Sequence, residues 1–255
     1  PPRSTRKESS AASDVYKRQP CDMSAIRKLA KKYKVKVIED AAQALGAEYN
    51  NKKIGDISDF TTFSFQAIKH ITTGDGGMLC IKDSKLIDAA KRMRWFGIDR
   101  KKKQLGIWEN DVKEIGYKYQ LTDLGASIGY QGLLDFKKIL AHRIKINNIY
   151  LKNLSKNPNI TCIYDHDRKK KSAAWLFTIL IEKKDYLQKK LREKNIETNQ
   201  VHFRNDKYSI FKKFAKNQKF KNMDKIEDHY LVLPIHTKVS KEDAEYICKL
   251  INSYI

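Results

Sequence analysis

Three residue types fall in one short stretch in an order that could do chemistry. Asp40 closes the apolar run VKVIED, Ser64 lies in FTTFSF, and Lys69 follows five residues later in QAIKHITTGDGG, a segment ending in Gly74, Gly76 and Gly77. A carboxylate, a hydroxyl, an amine and a glycine-rich turn are together what a pyridoxal phosphate site requires. The carboxylate keeps the pyridine nitrogen protonated, so that the ring can act as an electron sink. Hydroxyl and backbone N–H groups hold the phosphate. The amine forms a Schiff base with the cofactor aldehyde and afterwards shuttles protons. Taken singly, each residue has an ordinary role: Asp40 as a turn or cap residue, Ser64 at a half-buried sheet edge, and Lys69 as one of some forty lysines.

The elements that must position these groups are visible in the spacing of apolar residues. Met23, Ile26, Leu29, Ala30 and Tyr33 recur at helical intervals behind Asp22, a suitable N-cap. Val35 to Ile38 reads as a short buried strand, which puts Glu39-Asp40 at the C-terminal edge of a parallel sheet, where α/β proteins collect ligands. Asn50 to Lys53 marks a turn, Phe60 to Phe65 a second strand, and Met78 to Ile81 a third. A helix is expected over 84–96, with Leu86, Ala89, Ala90 and Met93 on one face, then a polar segment over 101–114 anchored by Trp108. A long helix follows, capped by Thr122 or Asp123 and running through Tyr150.

Beyond it the rhythm changes to a strand over 173–181, helices over 184–194 and 206–216, a strand over 231–233 and a helix over 241–254. Ser240 and Asp243 give that last helix a capping-box start. These features predict a leader over 1–18 that looks foreign to the domain, a partial large domain over 19–136, and a smaller α+β domain over 137–255.

Composition bounds the alternatives. At 255 residues and 41% hydrophobic content the chain can bury one large core or two modest ones. No run approaches the roughly 20 apolar residues that cross a bilayer, and no signal-peptide core follows the basic N-terminus, so a cytoplasmic location is expected without membrane attachment. Cys21, Cys80, Cys162 and Cys248 form no CxxC pair, which suggests neither a zinc site nor a disulfide framework; Cys80 and Cys248 read as core residues. The net charge of +22 invites a nucleic-acid reading. Lysine outnumbers arginine about four to one and is spread along the whole chain, which fits a solvated lysine-rich surface better than a polyanion reader.

The stretch IEDAAQALGAEYNNKKIGDISDFTTFSFQAIKHITTGDGGML resembles the cofactor-binding signature of the DegT/DnrJ-type nucleotide-sugar aminotransferases, and the likeness continues through RWFGIDR, GYKYQLTDLGASIG and LPIHTK. It implies the pyridoxal-phosphate-dependent transferase fold of type I, an α/β architecture with a mostly parallel sheet in the large domain. It implies Asp40 against the pyridine nitrogen, Gln43 near the ring hydroxyl, Ser64 on the phosphate and Lys69 as the Schiff-base lysine. Gln66 stands where many relatives have a substrate-side His. Lys118 or Gln120 occupies the segment from which a neighbouring subunit contributes an Asn to the phosphate; neither is Asn. His202 and Arg204 fall in a small-domain loop that looks substrate-facing. A branch of the fold with His at the lysine position dehydrates sugars instead, and Lys69 points away from it.

The activity so implied is transfer of an amino group, from glutamate, to a keto carbon of a nucleotide-linked deoxysugar for lipopolysaccharide, capsule or glycoconjugate synthesis, by a homodimer that binds no nucleic acid. A non-catalytic relative of the same fold is the rival reading. The resemblance also implies over a hundred further residues upstream, carrying a phosphate-binding turn and a ring-stacking aromatic. This stretch by itself is therefore expected to be poorly soluble and to hold the cofactor weakly or not at all.

Overall fold

The computed structural model describes residues 20–107, 111–164, 167–216 and 218–255. The expectations for the 1–18 leader and for Trp108 lie outside them. The chain divides into two compact units: Pro20–Lys137 with Lys169–Lys171, and Lys138–Arg168 with Ser172–Ile255.

In the first unit, helix α1 (Met23–Lys32) is capped by Asp22, whose side chain accepts from the Ala25 amide at 3.1 Å. The helix is followed by β1 (Ile38–Asp40), the hairpin β2 (Glu48–Tyr49) and β3 (Lys52–Lys53), β4 (Phe60–Ser64) and β5 (Gly77–Ile81). Asn50 and Asn51 take positive φ between β2 and β3, as a tight hairpin turn demands. Lys170–Lys171 adds a further strand, β7 in chain order, to β2. Strand β1 pairs with β4 in parallel, Ile38 opposite Phe60 and Asp40 opposite Thr62. Strand β5 pairs with β4 antiparallel, because the connection over 65–76 holds no crossover helix and simply turns back.

Two expectations here need correcting. The first strand begins at Ile38 rather than Val35 and is not buried as a run, since Ile38 is 69% exposed and Val35 45%. Its register is set by Asp59 and Phe60: Val37 donates to Asp59 Oδ2 at 2.9 Å, and the Phe60 amide donates to the Val37 carbonyl at 3.1 Å. Cys80, expected in the core, is only half-buried.

The helix expected over 84–96 is a 3₁₀ turn (Ser84–Leu86) followed by α2 (Ile87–Met93), with Leu86, Ile87 and Met93 exposed. It stops because Phe96 adopts φ +54 and gives its amide to the Tyr117 carbonyl instead of a helical partner. A short α3 (Arg100–Gln104) forms inside the segment expected to be loop. Helix α4 (Asp123–Leu154) then runs 32 residues, with the Thr122 hydroxyl accepting from the Gly125 amide.

The second unit is an antiparallel sheet, β6 (Thr161–Cys162), β8 (Phe177–Leu180) and β9 (Tyr230–Leu233) in the order β6-β8-β9. It is packed with α5 (Lys184–Arg192), α8 (Lys241–Tyr254) and the later turns of α4. Ile146, Tyr150, Ile179, Leu187, Leu231 and Ile251 form its centre, and the Tyr150 hydroxyl donates to the Pro234 carbonyl at 2.8 Å. The capping box at Ser240 and Asp243 is present in both directions. The helix expected over 206–216 is instead two 3₁₀ turns and a short α6 (Lys212–Ala215), because Tyr208 between them is extended. Helix α7 (Lys221–Ile226) carries no periodic signal strong enough to have been foreseen. Among the described residues no helix is long and apolar enough to cross a membrane.

Leu187 has no exposed surface and sits at the centre of the second unit's core. Leu187→Ala should lower that unit's stability by about 2–5 kcal/mol, the usual cost of a buried cavity of this size. Denaturant unfolding followed by circular dichroism measures it.

Candidate cofactor site

The register of β1 on β4 decides which side chains meet. Directly opposed residues of paired strands project to the same face, and residues two apart along a strand share it. Asp40 opposite Thr62 therefore shares a face with Ser64, two residues further along β4. That face is open: Phe60, Thr62 and Ser64 are half-buried and Asp40 is exposed, whereas Glu39, Thr61 and Phe63 are buried on the other. Gly77 lies opposite Ser64 on β5 and presents no side chain there. It can be nothing larger, since a Cβ would stand 2.7 Å from the Phe63 carbonyl oxygen.

The groups on this face are suitably wired. Asp40 Oδ1 accepts from the Ala42 amide at 3.1 Å, which fixes the carboxylate and leaves Oδ2 without a hydrogen bond among the described residues. Ser64 Oγ accepts from the Gln66 amide at 3.3 Å, so its hydroxyl hydrogen remains to be donated. Gln43 is half-buried in the turn just past Asp40. A carboxylate with a spare oxygen, a donating hydroxyl on the next strand and an open face between them fit a protonated ring carrying a phosphate arm.

Lys69 is half-buried in the loop between β4 and β5. Its amide closes a turn on the Gln66 carbonyl at 2.9 Å, and the Gln66 side-chain oxygen accepts from the Ile68 amide at 3.0 Å. Gln66 is thus partly occupied as a turn cap. The loop is held shut at its base by Phe65, whose amide donates to Gly76 and whose carbonyl accepts from the Thr73 amide and the Thr72 hydroxyl. It is also pressed onto α4. Gly125, Gly129 and Gly132 lie at helical spacing on one face, and a Cβ on Gly129 would come within 2.6 Å of Thr73 Cγ2. A Cβ on Gly132 would meet Ile71 at 3.1 Å. His70, 6% exposed, sets its ring edge-on to Phe136 of the same helix. These glycines, with Thr73 and His70, are the positioning residues that sequence reading missed, although the spacing GASIGYQG was there to be read.

The remaining expected residues make contacts of their own. Lys118 places its ammonium 5.4 Å from the Trp95 ring centre and 5.9 Å from that of Phe96. Among the described residues, Gln120 buries its side-chain oxygen without a hydrogen-bond partner. His202 and Arg204 belong to the second unit. His202 lies against Trp175 with ring centres 6.3 Å apart. Arg204, 8% exposed, is consumed by carboxylates: both Asp206 oxygens at 2.9 and 2.7 Å, Asp224 at 2.6 Å and Glu227 at 3.2 Å. Its guanidinium thus holds the 204–227 region together, and a substrate carboxylate or phosphate would have to displace these partners.

One buried group beside Asp40 was not anticipated. Glu39 is 6% exposed and accepts from the Ser58 hydroxyl at 2.8 Å. Burial pushes its carboxyl above the usual glutamate range, and the Ser58 bond only partly opposes this.

Comparison with known proteins identifies the family. Residues 16–252 match the DegT/DnrJ/EryC1/StrS aminotransferase family. The chain belongs to that family. It is 35% identical over 231 residues to the UDP-4-amino-4,6-dideoxy-N-acetyl-beta-L-altrosamine transaminase of Campylobacter jejuni, covering 89% of this chain and 60% of the relative. It is 32% identical to the GDP-perosamine synthase of Escherichia coli O157:H7, covering 92% and 62%. Among solved structures it resembles Helicobacter pylori PseC, an aminotransferase involved in the biosynthesis of pseudoaminic acid, with a TM-score of 0.79 at 26% identity over 92% of this chain and 63% of that one. The sugar aminotransferase CalS13 of Micromonospora echinospora superposes with a TM-score of 0.82 at 25% identity, covering 92% and 64%. The chain spans about 60% of the length of the curated relatives it matches.

Glu39 gives the family fold a pH signature. The folded chain keeps a proton that the unfolded chain has released, so this residue's contribution to stability falls as pH rises above the ordinary glutamate range. Glu39→Gln retains an acceptor for Ser58 and removes the ionisation. Its stability relative to the parent should therefore rise between about pH 5 and pH 7. Thermal unfolding across that range reads the difference, and a flat difference would show that Glu39 is not held neutral.

Proposed function

We propose that the protein carrying this sequence is a pyridoxal-phosphate-dependent aminotransferase that moves an amino group from an amino-acid donor, glutamate, to a keto carbon of a nucleotide-linked deoxysugar. It would serve polysaccharide or glycoconjugate synthesis as a cytoplasmic homodimer. The observation that carries the reading is the shared open face of Asp40 and Ser64 beside the loop of Lys69, in a chain of this family. The nucleotide-sugar class comes from the names of the relatives, a transaminase named for a UDP-linked amino sugar and a GDP-perosamine synthase.

Bound pyridoxal phosphate supplies an electron sink for the carbon that loses or gains a proton. The residues do the rest. Asp40, its Oδ1 fixed by Ala42, presents Oδ2 to hold a proton on the ring nitrogen. Gln43 would orient the ring hydroxyl, the role the family resemblance implies for it. Ser64 donates its hydroxyl hydrogen to phosphate, and Lys118 or Gln120 belongs to the segment that would complete a phosphate site at a subunit contact. Lys69 Nζ would hold the cofactor at rest and, once freed by the donor amine, would carry the proton from the donor's α-carbon. It would serve again as the proton carrier when the keto sugar is the acceptor.

Lys69→Ala in the protein carrying this sequence should abolish amino transfer, a loss of at least about 10³-fold for a residue serving as both attachment point and proton carrier, with the thermal midpoint little changed. Coupled detection of 2-oxoglutarate from glutamate and a UDP-linked 4-keto sugar measures it; retained turnover overturns the proposal.

A further inference from the structure

Helix α1 and the β2-β3 hairpin of the first unit enclose a cleft of about 890 Å³ that shares no residue with the candidate cofactor cluster. Six of its fifteen lining residues, Arg27, Lys28, Lys31, Lys34, Lys36 and Lys52, are cations. That is twice the share of Lys and Arg in the chain as a whole, 52 of 255, so the cleft concentrates a charge that is otherwise diffuse. Its single acid, Asp59, is already committed to the Val37 amide at 2.9 Å and to Lys36 at 3.3 Å.

Among the described residues the other five cations pair with no carboxylate. Arg27, Lys31 and Lys34 follow one another at intervals of four and three, which stacks them along one side of α1 and the turn that ends it. Lys34 is held at φ +52, where the Lys34 and Val35 amides close the helix end on Lys31 and Ala30. Glycine is the unstrained residue for that position, and a lysine there costs about 1 kcal/mol. The wall behind the cations is apolar, formed by Met23, Ala30, Val35, Val37 and Ile57.

We propose that this cleft binds a small polyphosphate-bearing anion. Clustered cations without partners repel one another, and a multiply charged phosphate chain relieves that repulsion by spanning several at once. The size suits one small molecule. An extended nucleic acid is a poorer match, because no exposed aromatic lines the cleft to stack a base.

Isothermal titration of the protein carrying this sequence with inorganic triphosphate, and separately with ATP, tests it. One site per chain is expected, weakening about tenfold between 50 and 200 mM salt. Lys31→Glu with Lys34→Glu should weaken binding by at least about tenfold. The control Lys152→Glu with Lys249→Glu changes the net charge equally at exposed positions outside the cleft and should stay within about twofold. Lys31→Gln with Lys34→Asn, which Asn's tolerance of positive φ keeps foldable, should lose affinity in the same direction by less. Tighter binding of ATP than of triphosphate would mark a nucleoside ligand, and equal binding the phosphate chain alone; either supports the site. No binding, equal losses in the cleft and control variants, or an unchanged Gln/Asn variant overturns it.

Discussion

The structure around the candidate site depends on one strand register. With Asp40 opposite Thr62, the odd and even residues of β1 and β4 sort onto two faces with opposite characters. One carries Asp40, Thr62 and Ser64 and stays open; the other carries Glu39, Thr61 and Phe63 and is buried. A slip of one residue would bury the Asp40 carboxylate and expose Phe63, so both hydrophobic burial and charge solvation hold the register in place. Asp59 reinforces it from the edge by accepting from Val37. Backbone pairing of two short strands thereby fixes the relative placement of the two groups on which the proposed chemistry rests.

The lysine is positioned by a different means. The loop from Gln66 to Gly76 has no ladder of its own and is stabilised by hydrogen bonds to Phe65 and by close approach to three glycines of α4. Removing side chains from one helix face costs helix propensity, roughly 1 kcal/mol for each glycine relative to alanine. What it yields is backbone-to-backbone proximity, which holds Ile71 and Thr73 against the helix and so limits where Lys69 can stand. Precision at Lys69 thus derives from packing.

Much of this was legible in the sequence. Asp22, Ser240 and Asp243 announced their helices through capping chemistry, and alternation in FTTFS placed β4. The order Asp40, Ser64, Lys69 singled out the two strands and the loop on which the proposed site rests. Where reading failed, a tertiary term outweighed a local one. The segment after Asn205 has helical spacing, but three carboxylates gathering around Arg204 and an extended Tyr208 break it into short turns. Arg204 looked like a substrate-side cation because nothing local shows that Asp224 and Glu227, some twenty residues away, fold back onto it. Glu39 looked like a polar strand end, and only the register shows it to be the buried member of the Glu39-Asp40 pair.

The account stands on Lys69 being the lysine that pyridoxal phosphate engages, in a chain where lysine is abundant. Borohydride reduction of the protein carrying this sequence in the presence of pyridoxal phosphate, followed by peptide mass mapping, tests that most directly. The account predicts a single pyridoxyl group on the peptide containing Lys69, lost when Asp40 is changed to Ala. Labelling distributed over many surface lysines, or concentrated on a lysine other than Lys69, would contradict it.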